Sequence, residues 1–220
     1  MQANKIFISL DLELNKNTDE NDDGYCTDII QIGACAFDFH SGQVYDTFNR
    51  YIKLTTPMNN GELRLSKFIT KLTGITDKTI QEHGVPIEDA VRDLYHFCHT
   101  NEAMRNGVQW GHDDFEELHK QYLSYSKSSN FWYFAKTQYD VKKLYQFYRL
   151  SNGQSAQSGL AKSILKLGIE PFKGKKHNAL DDALNTARVF LRLKELIGKT
   201  QDSTNGVSSW IVDTNKKLNL

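Results

Sequence analysis

Three short stretches of this 220-residue chain carry acidic and imidazole side chains at spacings that could do chemistry together. In FISLDLEL, Asp11 and Glu13 stand two apart in an apolar run that reads as a core strand. The side-chain period of two in a strand puts both carboxylates on one face and Leu10, Leu12 and Leu14 on the other. Holding two unpaired carboxylates beside a core strand is costly, and a divalent cation is one of the few partners that offsets the cost for both. An edge strand that shows its acids to water has the same DxE pattern, so the pair decides nothing by itself.

The stretch HNALDDALNTA, residues 177–187, poses a question of geometry. In a continuous helix, advancing about 100° per residue, His177 and Asp182 lie on different faces. Asn178, however, is a strong N-cap residue, and Asp181 three positions on stands in for the capping-box glutamate. With Asn178 as the cap, His177 and Asp182 occupy the two positions whose side chains meet across a helix start. Asp182 then faces the histidine while Asp181 serves the cap. A third acidic pair, Asp113 and Asp114, follows the short apolar stretch GVQWG. Acids past the carboxyl end of a strand sit where open α/β sheets place ligands, although the helix dipole favours acids at any helix start.

These residues need a scaffold, and the pattern along the chain supplies one. KIFISLDLEL, DIIQIGACAFDF and QVYDTFNRYIKL read as three strands joined as antiparallel neighbours, with HSG as a turn and NKNTDENDDG as a polar loop. Beyond Pro57 the periodicity becomes helical: LRLSKFITKL, a segment that Thr76 caps, and a helix opening near Pro86. GVQWG at 107–111 is a short buried strand, followed by a helix over DDFEELHKQYLSY and an irregular or strand-like FWYFAKTQYDV. Three more helices follow, over VKKLYQFYRL, GLAKSILKLGI ending at Gly168, and ALDDALNTARVFLRLKELIG ended by Gly198. Strands interleaved with helices make an α/β plan with one mixed sheet.

Bulk composition narrows the class. Hydrophobic residues make up 39% and charged residues 25%, with three prolines, as in a folded globular chain. The formal charge of zero argues against coating a long duplex by charge alone and suits short or single-stranded ligands better. Cys26, Cys35 and Cys98 show no CxxC spacing and read as free thiols of a reducing compartment. The N-terminal apolar run meets acids within a few residues, unlike a signal peptide or a spanning helix, so a cytoplasmic protein without membrane association is expected.

Taken together, FISLDLEL, WGHDDFEEL and HNALDDA resemble the three motifs of the DEDDh-type 3′-5′ exonucleases, in that family's order. DxE falls on Asp11 and Glu13, and HxAxxDA on His177, Ala179, Asp182 and Ala183. The middle motif falls on Gly111, Asp114 and Leu118, which favours Asp114 over Asp113. The likeness runs from about residue 4 to about residue 196, with DIIQIGACAFD, LTGITDKTI and GLAKSILKLGI similar to intervening family segments. Trp110 and Gly111 are similar to the Eri-type, RNase T-like subgroup that trims RNA. Leu14 and Asn15 depart from the threonine that many members carry there.

The resemblance implies a ribonuclease H-like three-layer α/β fold with a mixed five-stranded sheet, its first three strands antiparallel, flanked by helices. Residues 1–199 would form the exonuclease domain and 200–220 a polar tail. It further implies two divalent ions, magnesium first and manganese second, held by Asp11, Glu13, Asp114 and Asp182, with His177 as the general base on a loop that leaves it free to move. The substrate would be the 3′ end of a single-stranded nucleic acid, RNA ahead of DNA. Leu14 would pack on the terminal base and Lys176 meet a phosphate. Lys173 and Lys175 share that potential with a plain solvated loop, and FWYF at 131–134 is more readily core or lid than a base-stacking platform. The acidic run Asp19–Asp23 reads as a solvated loop. A catalytically silent module of the same fold, binding nucleic acid or a protein, is the competing class; the presence of all five expected residues weighs against it. Oligomeric state is left open.

Overall fold

The apolar run that begins at residue 5 forms β1 (Ile6–Lys16), and it lies in the middle of a sheet. The computed structural model describes residues 5–16, 27–57, 61–111, 113–126, 132–170 and 173–202. The Asp19–Asp23 run, Cys26, Phe131 and the tail around Trp210 lie outside the described residues. β2 (Thr27–Asp38) pairs antiparallel with β1 and with β3 (Val44–Ile52), as the alternating pattern predicts. On the other side of β1, β5 (Asn106–Gln109) and then β6 (Thr137–Asp140) add in parallel.

Among the described residues the sheet has six strands, in the order β4-β3-β2-β1-β5-β6, rather than the expected five. The additional strand, β4 (Gly84–Val85), is two residues long and parallel to the end of β3. So short a strand has no side-chain period of its own, and pairing with Tyr51 and Ile52 alone defines it.

Alternation along β1 divides the core into two layers. Ile8, Leu10 and Leu12 pack with Ile87, Ala90, Val91, Leu94 and Cys98 of α3 (Ile87–Thr100) and with Phe115, Leu118 and Tyr122 of α4 (Asp114–Tyr125). Those helical positions recur at i, i+3, i+4 and i+7, the stripe of an amphipathic helix. Phe7 points the other way, into a layer with Val141 and Tyr145 of α5 (Val141–Ser151), Ile164 of α6 (Leu160–Lys166), and Ala187, Val189, Phe190 and Leu193 of α7 (Ala179–Asp202). A smaller cluster joins Ile30 to α1 (Lys67–Thr73), capped by Ser66, and α2 (Asp77–His83), capped by Thr76 as expected. Trp132 and Phe134 of the FWYF stretch serve as core, Trp132 lying flat against His119 at 4.3 Å, while Tyr133 is exposed. Cys35 and Cys98 are free and buried, and burial pushes the Cys35 thiol up to about 12. No helix among the described residues is long and apolar enough to cross a membrane.

The last helix runs through Gly198 to Asp202 instead of stopping at the glycine. A glycine inside a helix costs only about 1 kcal/mol relative to alanine, and cooperativity with the preceding turns carries the helix past it. At its other end α7 rests directly on β2. A Cβ added to Gly33 would collide with the Ala179 and Leu180 backbone, so glycine there sets how closely the helix approaches the sheet.

At an unobstructed strand position glycine-to-alanine stabilises a protein by about 0.5–1 kcal/mol. Gly33→Ala is expected to do the opposite, lowering stability by roughly 1–3 kcal/mol through overpacking. Urea denaturation of the variant checks this, and wild-type stability would mean that α7 does not seat on β2 in this way.

Candidate active site

The acids are held by elements that the sheet order brings to one place. Asp11 and Glu13 stand on β1 opposite Gly33 and Gln31 of β2, with a bulge just beyond Glu13. Asp114 is the first residue of α4, which opens soon after β5, the parallel neighbour of β1. Asp182 lies in the first turn of α7. Asp11, Leu12, Glu13, Trp110, Lys176, His177 and Asp182, with Gly159–Lys162 at the start of α6, line a cavity of about 590 Å³. Ligand atoms of Glu13, His177 and Asp182 all lie within 4.8 Å of one another.

Hydrogen bonds from the sheet fix the start of α7. Ser9 Oγ donates to the Ala183 carbonyl at 2.7 Å, and the Ala179 N–H donates to Gln31 Oε1 at 3.1 Å. Gln31 is fully buried, and its Nε2 donates to Asn49 Oδ1 at 2.9 Å. Asn178 caps the helix as predicted, its Oδ1 accepting from the Asp181 N–H at 3.3 Å. His177 is therefore outside the helix, in a left-handed conformation (φ 59°), and its N–H donates to Asp182 Oδ2 at 3.0 Å. The expected partnership of His177 with Asp182 is present, made by the backbone. The Asp181 carboxylate departs from its expected capping role: it accepts the Lys175 N–H at 2.8 Å, because the preceding turn folds back over it. At α4, Gln109 Oε1 accepts the Phe115 N–H at 2.9 Å, anchoring the helix start that presents Asp114.

The charges of these acids act on one another. Burial first, then the charges of Asp114, Asp182 and Glu13, hold the Asp11 carboxyl well above the usual carboxylate range. Burial, then Asp182 and Asp114, push Glu13 up to about 8. Asp182 is pushed up to about 6, chiefly by burial; the His177 N–H and the Lys176 charge pull the other way. Three carboxylates thus line one cavity within reach of the Asp114 charge, and the lysines lining it are Lys162 and Lys176, both exposed. This all-oxygen donor set, desolvated and mutually repelling, fits hard divalent cations.

Of the remaining sequence candidates, Leu14 packs against the core on the α3/α4 side of β1, and Leu12 is the leucine that lines the cavity. Lys176 lines it as well, whereas the Lys175 ammonium is on the Thr73 carbonyl and Lys173 pairs with Glu170. Gln31, Ser9 and Gln109 escaped the motif reading. Their signal was a polar residue inside an otherwise apolar strand, as Gln31 is in DIIQIGACAF.

A carboxyl group whose pKa is raised on folding holds its proton more tightly in the native state. Its contribution to stability is then full below the unfolded value and is lost as pH rises through the folded one. Metal-free protein is expected to lose stability from about pH 4.5 to about pH 8 through Glu13, and to regain it when magnesium is added. Glu13→Gln removes this term: at pH 8 without metal the variant is expected to exceed the wild type by on the order of a few kcal/mol, with the difference vanishing below about pH 4.5. Thermal denaturation across that range in chelator checks the sign; a Glu13→Gln variant less stable at pH 8 would refute it.

Comparison with known proteins accords with this geometry. The model of the 3′-5′ exoribonuclease Rv2179c-like domain matches residues 7–193. The 3′-5′ exoribonuclease 1 of Rattus norvegicus is 26% identical over 174 residues, covering 76% of this chain and 46% of the relative, so the chain spans less than half of that protein's length. Among solved structures, the nuclease domain of 3′hExo, a DEDDh family member bound to rAMP, superposes with a TM-score of 0.72 at 22% identity, covering 88% of this chain and 94% of that one. Pop2p of S. pombe in its Mg2+- and Mn2+-bound form gives a TM-score of 0.61 at 20% identity, covering 86% and 82%. The structural likenesses establish a shared ribonuclease H-like fold. With the family match spanning residues 7–193, nearly the whole described chain, the chain belongs to the 3′-5′ exoribonuclease Rv2179c-like domain family.

Proposed function

We propose that this chain is a divalent-metal-dependent 3′-5′ exonuclease that removes nucleotides from single-stranded 3′ ends, with RNA preferred to DNA. The observation that carries the reading is the convergence of Asp11, Glu13, His177 and Asp182 around one cavity, with the Asp114 charge acting on Asp11 and Glu13. Family membership supports the direction of digestion and the polymer.

Asp11, Glu13, Asp114 and Asp182 would hold two cations, magnesium or manganese, the ions named in the related Pop2p structure. Such a pair, when bound, supplies a nucleophilic water at neutral pH and relief of charge on the leaving oxygen. His177, its ring within reach of Glu13 and Asp182, takes the proton of the attacking water. Lys176, at the cavity rim, meets a backbone phosphate. Leu12 and Trp110, which line the cavity, form an apolar wall suited to a terminal base. The cavity volume, about 590 Å³, lies within the range of small-molecule sites, which suits one nucleotide at a time.

Incubation with 5′-labelled RNA and DNA oligonucleotides is expected to yield magnesium-dependent shortening from the 3′ end, faster on RNA. No shortening of either polymer with magnesium or manganese would leave a binding module instead. His177→Ala is expected to keep metal affinity while turnover falls by about 10²–10⁴-fold. Asp11→Ala is expected to lose both; equal affinity of the two variants in titration calorimetry would refute the division of roles.

A further inference from the structure

The turn that carries Lys176 and His177, expected to leave the histidine free, is tied to two helices. Before it, the Lys173 N–H donates to Asn185 Oδ1 at 3.3 Å and Asn185 Nδ2 donates back to the Lys173 carbonyl at 2.8 Å. After it, the His177 N–H is on Asp182. Between these, Lys175 makes two bonds in opposite directions. Its N–H donates to Asp181 Oδ2 at 2.8 Å, and its ammonium donates to the Thr73 carbonyl, at the end of α1, at 2.6 Å.

Both anchors are themselves fixed. Thr73 is buried, its Oγ1 donating to the Ile69 carbonyl and accepting the Ile75 N–H. The Asp181 carboxylate lies against Gly174, whose φ of +85° and lack of a side chain let the chain pass: a Cβ there would strike the carboxylate. A charged donor on a carbonyl at a helix C-terminus is also a favourable electrostatic pairing. The Lys175 ammonium is thus directed away from the cavity that Lys176, its neighbour, lines.

We propose that Lys175, strung between the Asp181 carboxylate and the Thr73 carbonyl, is a positioning residue that fixes the left-handed turn directing His177 at Glu13 and Asp182. The proposal rests on the reading of His177 as the base. A base displaced by about 1 Å can lose up to 10²-fold in rate, so an effect on kcat is expected without one on substrate binding.

The test compares Lys175→Met with Lys175→Arg, which keeps a charged donor for Thr73, using a short single-stranded RNA as probe. Lys175→Met is expected to lower kcat about tenfold with KM and magnesium affinity within twofold of wild type, and Lys175→Arg to restore most of the loss. In a His177→Ala background the Lys175→Met substitution should cost nothing further, because the two act through one group. A readout that needs neither metal nor turnover is amide hydrogen exchange of the metal-free protein. There the His177 N–H is expected to lose protection in Lys175→Met while core amides keep theirs. The proposal is overturned by unchanged exchange at His177, by a raised KM with unchanged kcat, which would mark a phosphate contact, or by an equal loss in the His177→Ala background. Should His177→Ala keep full activity, the base assignment falls, and the exchange measurement decides whether Lys175 fixes the turn.

Discussion

Mutual repulsion among carboxylates in a desolvated cleft is the constraint around which this molecule is arranged. Asp11, on the central strand, feels burial and the charges of Asp114, Asp182 and Glu13 together. Such a cluster is unfavourable in isolation, and a chain that keeps it needs rigid supports that prevent the acids from moving apart. β1 is held on both sides, by β2 and β5, so Asp11 and Glu13 cannot swing away without breaking the sheet. Asp114 and Asp182 stand at helix starts, where the positive end of the helix dipole offsets part of their cost.

The supports are mostly polar and buried. Ser9 and Gln31 reach from adjacent strands to the first two turns of α7, and Gln109 reaches from the end of β5 to the first turn of α4. Each satisfies a backbone group of a helix while tying an acid-bearing element to the sheet. Gly33 adds the steric part, allowing the α7 backbone to lie where any side chain would hold it off. Because Gly33 pairs with Asp11 and Gln31 with Glu13, the two residues that seat α7 are the cross-strand partners of the two strand acids. The spacing between the acid pair of β1 and Asp182 is thereby set through β2.

The two adjacent aspartates of HNALDDA show how one helix start serves two purposes. Asp182 faces the cavity and takes the His177 N–H, while Asp181, one position earlier, turns toward the preceding loop and takes the Lys175 N–H. Neighbouring residues on a helix point about 100° apart, which is enough to separate the chemistry from the support.

The motifs and the order of elements were readable because they depend on local periodicity. The strand period placed Asp11 and Glu13 on one face, and capping chemistry placed His177 outside the helix beside Asp182, as found. What local pattern does not encode is partnership at long range. β4 exists only through its pairing with β3, the Asp181 carboxylate went to Lys175 rather than to the cap, and Leu12, a core leucine, also reached the cavity. Gln31 lies 148 positions from the Ala179 N–H it accepts, and Lys175 lies 102 from the Thr73 carbonyl. Residue type and spacing therefore decide which groups a chain offers and on which face of its own element. Only packing of the elements decides which of those groups meet, since a hydrogen bond or a steric limit across the fold leaves no periodic trace in the sequence.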